Sequence, residues 1–300
     1  MYMSSFIQTI IAFLLSVFTV AAVPGNAKPT ADAEILTDTI NVMSFNVYVA
    51  GFGAKSPENR ADEVVEQIRR VMPDSFGLQE ASPEWIAQIS TAIPEYAYVG
   101  IDRDADGTGE ASPVFYLKNK YTVVESSTFW LSPTPDVKSK GWDASYRRIC
   151  TYALLRNNES GFTYAHFNAH LDHIGSLSRY NSARLVTNRV NSLGYATVLT
   201  GDFNAKEGSN AYTAVLESGM LDSKYIADSV VNPGPTFHGY MMQDKTTHTK
   251  AIDFIFVSEG STVSEYVVHK DKINGIYPSD HFAVSATVTL TGATETDGTF

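Results

Sequence analysis

The sequence predicts an α/β sandwich of four layers, in which two β-sheets pack face to face and helices flank them. Three observations carry this. Strand-like segments outnumber helical ones, the few helical segments each show one apolar stripe, and ionisable or amide residues recur where strands end. Composition agrees. Of 300 residues 44% are hydrophobic and 18% charged, enough to fill a large core and unlike a disordered polymer.

The elements follow in order. Residues 1–27 contain no Asp, Glu, Lys or Arg, and Ile10 to Val23 form an apolar run broken only by Ser16 and Thr19. Fourteen residues at about 1.5 Å rise reach about 21 Å, short of the roughly 30 Å hydrocarbon core, so 1–27 reads as a cleaved export signal rather than a spanning anchor. One folded domain is then expected over 35–292, without stable membrane insertion. Thr39 to Val47 has the period of a strand, which puts Asn46 at its mouth. Ser56-Pro57 pairs an N-cap with Pro at the first helical position, and Ala61, Val64, Val65, Ile68 and Met72 follow at helical spacing. Ser75 to Glu80 ends a second strand at Glu80, and Ser82-Pro83 opens a short helix. Further strands are expected over 96–101, 113–118, 121–130, 149–156, 162–172, 197–202, 251–257 and 281–290. One more helix, over 178–193, carries Ala183, Val186, Val190 and Leu193 on one face and stops at Gly194.

Charge and cysteine content exclude several functions. Lys+Arg 22 against Asp+Glu 33 gives a net charge of -11, which disfavours a duplex-binding surface, where each phosphate contact wants a cation. The single cysteine, Cys150, excludes an intramolecular disulfide framework and a cysteine-clustered zinc site. Neither a Gly-x-Ser-x-Gly elbow nor a Walker-type glycine loop occurs.

Chemistry gathers instead at the strand ends: Asn46, Glu80, His170, Asp202 with Asn204, Asp253, and Asp280 with His281. In Gly201-Asp202-Phe203-Asn204 a period of two points Asp202 and Asn204 the same way, although alone it reads equally as an Asx-turn closing a strand. Ser279-Asp280-His281 alone reads equally as a turn with a satisfied histidine. The set is rich in oxygen donors, which suits Mg²⁺ (or Mn²⁺) better than zinc; His170, Asp172 and His173 imitate only part of a zinc site. A hard cation beside carboxylates implies a phosphate-ester substrate, with water activated for in-line attack.

These motifs together resemble the endonuclease/exonuclease/phosphatase superfamily. They are Ser44-Phe45-Asn46, Leu78-Gln79-Glu80, Glu110 within Gly109 to Tyr116, Ala169-His170-Leu171-Asp172-His173, Gly201 to Asn204, Ile252-Asp253-Phe254-Ile255 and Ser279-Asp280-His281, in family order over residues 40 to 290. The segments Phe129 to Ser132, Gly141 to Asp143 and Thr236 to Gly239 resemble an exported subgroup. The resemblance implies a deoxyribonuclease I-like fold and a metal-dependent phosphoric ester hydrolase. It implies that Glu80, with Asn46, is the main metal carboxylate, supported by Asp280. By the same resemblance, Asp202 orients or deprotonates the attacking water, Asn204 holds water or a phosphate oxygen, and His281, oriented by Asp253, stabilises charge on phosphorus. His170, paired with Glu110, contacts phosphate; Arg148 and His173 are further candidates for substrate contacts.

Two departures stand out. Ala251 replaces the basic residue that many relatives place before the Ile-Asp pair, with Lys250 one position earlier. The loop Asp102 to Gly107 matches the first half of a calcium loop, but Pro113 occupies the twelfth position, so it reads as an acidic turn. Trp130 and Trp142 read as packed aromatics, and His166 as a structural residue. The function expected is a secreted or periplasmic phosphodiesterase or phosphatase, monomeric. The alternatives are a secreted nuclease acting on DNA or RNA, a sphingomyelinase-like lipid phosphodiesterase binding a phospholipid head group, and a non-catalytic phospho-ligand-binding protein. Acidity favours a small ester or short nucleic acid, against which only a basic grouping of Arg147, Arg148, Arg179 and Arg184 would count.

Overall fold

The computed structural model describes residues 35–49, 59–240 and 250–293; the expected export signal and the Ser56-Pro57 helix cap lie outside them. The chain begins with β1 (Ile35–Asn46), α1 (Ala61–Val71), β2 (Ser75–Gln79), α2 (Pro83–Ala92), β3 (Tyr96–Val99) and β4 (Val114–Leu117). It continues with β5 (Tyr121–Trp130), β6 (Ile149–Asn157), β7 (Thr163–His170), α3 (Ser176–Leu193), β8 (Ala196–Asp202) and α4 (Asn210–Glu217). The last elements are β9 (Leu221–Asp222), α5 (Ser223–Ile226), β10 (Ala227–Val231), β11 (Asp253–Val257), β12 (Thr262–Val268) and β13 (Val284–Ala293). They form a seven-stranded sheet, β10-β12-β13-β1-β2-β4-β3, and a six-stranded sheet, β5-β6-β7-β8-β11-β9. Both are mixed, with the parallel pairs β1/β2 and β7/β8 joined by crossovers through α1 and α3.

Three apolar layers hold the sandwich together. Between the sheets lie Ile40, Val42, Tyr164, Val198, Ile255 and Val284. Under α1 and α2 the opposite face of the first sheet contributes Met43, Phe45, Phe76 and Leu78. Under α3 and α4 the second sheet contributes Phe167, Leu199, Phe254 and Phe256. Strict alternation therefore sends Ile40 and Val42 to one layer and Met43 and Phe45 to the other, so β1 is apolar on both faces. Ser82 caps α2, its hydroxyl accepting from Trp85 N at 3.3 Å. Among the described residues no helix is long and apolar enough to cross a membrane.

A polar cluster interrupts the layer between the sheets. Asn168 donates to Leu78 O (2.7 Å) and Pro113 O (2.9 Å) and accepts from Gln79 Nε2 (2.7 Å), joining the two sheets. Gly77 makes this approach feasible, since a Cβ there would lie 2.3 Å from Asn168 Oδ1. His166 is fully buried nearby, between Ser75 Oγ (2.7 Å) and Thr200 Oγ1 (3.0 Å). Burial lowers its pKa from 6.5 to about 3, so it stays neutral when folded and protonates when unfolded. Its contribution is complete above pH 6.5 and is lost as pH falls toward 3, with a slope of up to about 1.4 kcal/mol per pH unit. Urea midpoints measured between pH 4 and 7 should fall on the acid side, and less steeply in His166→Gln.

Several boundaries differ from expectation. Met72 is the left-handed C-cap of α1 and is exposed, not part of its buried stripe. His281 precedes its strand, which starts at Val284. The third strand stops at Val99, because Gly100 takes a positive φ. α3 begins two residues early, where Asp143 accepts from Leu177 N and Ser178 N. β9, β10, β12, α4 and α5 lie outside the segments that the sequence predicts. In β12 a bulge between Val263 and Glu265 spaces the buried residues 263, 266 and 268 unevenly, which hides the strand period.

Candidate active site

The site forms where strands of both sheets end on the same side. β1 delivers Asn46, β2 runs into Glu80, and Asp280 and His281 precede β13, all from the first sheet. From the second, β7 ends at His170, β8 at Asp202, and β11 starts at Asp253, with Asp202 in register with both neighbours. Glu80, His170, Asp202, Asp280 and His281 line a pocket of about 460 Å³, a size typical of small-molecule sites, with Asn46 and Asp253 bonded to the lining residues Asp202 and His281. A larger cleft, about 590 Å³, lies between α2 and residues 98–111. Its lining is mainly apolar, with Asp102 as its one carboxylate, so the chemistry belongs to the smaller pocket.

Asp202 is the hub. Its Oδ2 accepts from Asn46 Nδ2 at 3.0 Å, and lies 3.5 Å from His170 Nε2 and 3.8 Å from His281 Nε2. Its Oδ1 accepts from Asn204 N at 2.8 Å, a turn that requires the left-handed φ of 46° at Asn204, a residue type that tolerates it. Burial first, then Asp253, push the Asp202 carboxyl up to about 7, against the opposing pull of His281. His281 Nδ1 lies 2.9 and 3.2 Å from the two oxygens of Asp253. Burial alone would lower its pKa, but Asp253, Asp202 and Asp280 raise it to about 10. His281 is therefore an imidazolium held between carboxylates.

Glu80 also has a left-handed φ, 58°, a cost of order 1 kcal/mol that persists only under local support. That support comes from Asn46 Nδ2 (3.1 Å) and Val49 N (2.9 Å), which donate to its two oxygens. Asp280 is buried, accepts from Ser279 Oγ at 3.3 Å, and is raised by burial and by Glu80's charge, with His281 opposing.

Two expectations need correction. Glu110 is not paired with His170. Its carboxylate bonds Arg103 Nη2 at 2.8 Å, because the loop over 102–110 folds back on itself. His170 is held instead by Arg148 Nη1, 3.1 Å from Nδ1, and burial, then Arg148, push its pKa well below 6.5. Nor do the arginines form a basic patch. Arg148 is 5% exposed and faces His170, His173 and Asp172; Arg147 bonds Asp104; Arg179 bonds Asp172 O; Arg184 lies over the Tyr180 ring. Asp172 itself is held down at about 2, burial opposing, by backbone N–H groups including those of Gly175, Ser145 and Tyr146. The acidic turn is partly neutralised, since Asp104 meets Arg147 and Asp106 meets Lys138.

Other residues complete the site, and of these only Thr236 and Phe237 lie in a segment that the sequence singles out. Arg60 is buried and donates to Val47 O and Tyr48 O, and to Pro278 O, tying the segments that carry Asn46 and Asp280. Its guanidinium lies over the Trp85 ring, 5.0 Å from the centroid. Phe237 packs on His281 with ring centroids 4.8 Å apart, and Tyr146 stacks on His173 at 5.8 Å. Thr236 Oγ1 accepts from Ile252 N and Asp253 N, fixing the start of β11.

The donor set fits a hard divalent cation. Carboxylates of Glu80, Glu110, Asp202 and Asp280 line the pocket with the Asn204 amide and without sulfur, Asp253 stands behind His281, and Asp202 and Asp280 are raised by burial and by neighbouring carboxylates. Asp202, Asp253 and His281 present ligand atoms within 4.8 Å of one another, close enough to hold an ion. Hydrogen bonding already ties His281 to Asp253, whereas each Glu80 oxygen accepts a single N–H, so Glu80 is the freer ligand.

Known proteins share this fold. A mannosyl-6-phosphatase of Bacteroides thetaiotaomicron is 33% identical, with a TM-score of 0.78, over 83% of this chain and 99% of that one. Another structure from that organism, an endonuclease/exonuclease/phosphatase family protein, is 33% identical at a TM-score of 0.80, over 85% and 98% of the two chains. The uncharacterized protein L388 of Acanthamoeba polyphaga mimivirus is 28% identical over 165 residues, half of this chain and 60% of that protein's length. The model of the endonuclease/exonuclease/phosphatase family matches residues 43–281. With two mixed sheets and strand-end residues converging as described, the chain belongs to the endonuclease/exonuclease/phosphatase family, whose members are hydrolases of phosphate esters.

Proposed function

We propose that this chain is an exported, monomeric, divalent-cation-dependent hydrolase of small phosphate esters that passes the phosphoryl group directly to water. The observation that carries the reading is the meeting of Asp202, Asn46, His170 and His281 at 3.0–3.8 Å, at a junction of both sheets. Glu80 and Asn46 would hold Mg²⁺ or Mn²⁺, with Asp280 in support. When bound, the cation neutralises phosphate oxygens and the charge that builds in the transition state. Asp202 orients the attacking water and takes its proton, and Asn204 donates to the water or to a phosphate oxygen. The His281 imidazolium, aimed by Asp253, donates to the phosphoryl oxygens. His170 and His173 donate from the opposite side. Arg148 orients them and makes no direct substrate contact.

A small ester is favoured over a long nucleic acid because the arginines near the pocket are each engaged locally, leaving no basic groove among the described residues. Arg103 and Glu110 on the pocket wall, with Tyr146 beside them, suit a leaving group rich in hydroxyls, as a sugar phosphate is. The likeness to a sugar phosphatase supports the same reading.

The test is a panel of sugar phosphates, lipid head-group diesters and oligonucleotides, assayed with Mg²⁺, Mn²⁺ and Ca²⁺ against the Asp202→Ala protein. Preferred turnover of oligonucleotides or choline phosphodiesters would replace the reading, and metal-dependent hydrolysis of none would leave a binding protein. The pH profile offers a second check. The rate should rise as Asp202 ionises near pH 7 and fall as His281 loses its proton near pH 10. Raising Mg²⁺ should move the acid limb lower, since a cation favours the carboxylate. An alkaline limb that survives in His281→Asn would exclude His281 from it.

A further inference from the structure

We propose that Arg148 is a positioning residue that sets the tautomer of His170 and His173, and so turns His170 Nε2–H to face Asn204 Nδ2–H at the phosphate-oxygen contact that the proposed function already assigns to those two residues. The inference deepens the phosphohydrolase reading and rests on it for the identity of that oxygen.

A guanidinium carries five N–H donors and no acceptor. Arg148 Nη1 lies 3.1 Å from His170 Nδ1, and Nη2 lies 3.1 Å from His173 Nδ1. Both Nδ1 atoms must therefore present lone pairs, and each neutral ring carries its proton on Nε2. The arginine is not free to swing. It is 5% exposed, its Nε faces Asp172 Oδ2 at 3.5 Å, and Asp172 is fixed in turn by Gly175 N (2.8 Å), Ile174 N (3.0 Å) and Tyr146 N (3.2 Å).

Asn204 is oriented just as firmly. Its Nδ2 lies 3.1 Å from Leu171 O, a contact only the amide nitrogen can make favourably. That same Nδ2 lies 3.1 Å from His170 Nε2. Two donors thus oppose each other at hydrogen-bond distance. Turning the imidazole over would face Arg148 with a carbon, and turning the amide would set oxygen against oxygen. Asp202 Oδ2, 3.5 Å from Nε2, is too distant to satisfy it well. An acceptor oxygen placed between His170 Nε2–H and Asn204 Nδ2–H relieves the conflict, and an anionic phosphate oxygen does so with the strongest bonds. His170 then serves as a neutral donor, since a proton added on Nδ1 would meet the guanidinium.

Long-range ¹H–¹⁵N correlation spectra of the ¹⁵N-labelled full chain test this directly. His170→Gln and His173→Gln proteins assign the two signals among the seven histidines. In the unsubstituted protein both residues should show a bare Nδ1 and a protonated Nε2. Inorganic phosphate should then shift the His170 Nε2 signal while Nδ1 stays. In Arg148→Lys, whose single ammonium cannot fork to both rings, at least one histidine should lose the Nε2–H preference. Phosphate should bind about tenfold more weakly. A protonated Nδ1 at either residue in the unsubstituted protein overturns the proposal, and that reading requires no variant to fold. A His170 signal indifferent to phosphate overturns the oxygen contact. If the tautomers and the phosphate shift appear but no ester is hydrolysed, the proposed function fails and the inference stands. Hydrolysis with a protonated His170 Nδ1 sinks the inference alone.

Discussion

Replacing Asp202 by Asn should lower kcat/KM for the best phosphate ester by about 10²–10⁴-fold, the range expected for a proton-transfer group, while making the cation-free protein more stable. The stability half follows from the raised pKa. Asp202 is pushed up to about 7 from an ordinary 3.8, so folding favours its protonated form. The stabilisation that comes from the neutral carboxyl is present below 3.8 and is lost as pH rises through 7. Above pH 7 the folded protein carries a charge that burial and Asp253 oppose, and the neutral amide removes it. Melting curves without metal should therefore show a larger gain for Asp202→Asn at pH 8 than at pH 5. Full activity in this variant would remove Asp202 from the chemistry. A loss of stability at pH 8 would mean instead that its bonds to Asn46 and Asn204 outweigh the cost of its burial.

Replacing Arg60 by Met should destabilise the fold by about 2–4 kcal/mol and also reduce activity. The carbonyls of Val47, Tyr48 and Pro278 would lose a charged donor in a buried setting, and Trp85 would lose its cation–π partner. Those carbonyls belong to the segments beside Asn46 and Asp280, so the proposed cation seat loosens together with the core. Urea denaturation reports the first effect and Mg²⁺ titration of activity the second. Arg60→Lys should recover little, because an ammonium cannot fork across three carbonyls. A destabilised protein with unchanged Mg²⁺ dependence would confine Arg60 to a packing role.

The legible part of the site is the part that strand period controls. Asn46, His170 and Asp202 end strand-like runs and Glu80 follows one, so each residue's place follows from where its strand stops. His281 was found for another reason, its position in a short ordered motif. What could not be read depends on contacts between distant segments. Glu110 meets Arg103 rather than the expected His170, because the fold of residues 102–110 decides between them. Arg148, expected as a substrate contact, turns inward because its partner Asp172 lies 24 positions later. Arg60 acts through backbone carbonyls, which carry no side-chain signature at all. α4 did have a cue, since Ser209 accepts from Tyr212 N, but its eight residues are too few for periodicity to register.

The polar cluster between the sheets has a mechanical consequence. Greasy contacts resist separation but let two slabs glide, because a methyl group is nearly as content a fraction of an ångström along. Asn168, bonded across the gap to Leu78, Pro113 and Gln79 at 2.7–2.9 Å, is directional and loses its partners when one slab slips. Glu80 rides on one slab and Asp202 on the other, so this pin acts as a gauge block that keeps the spacing of the two halves from drifting.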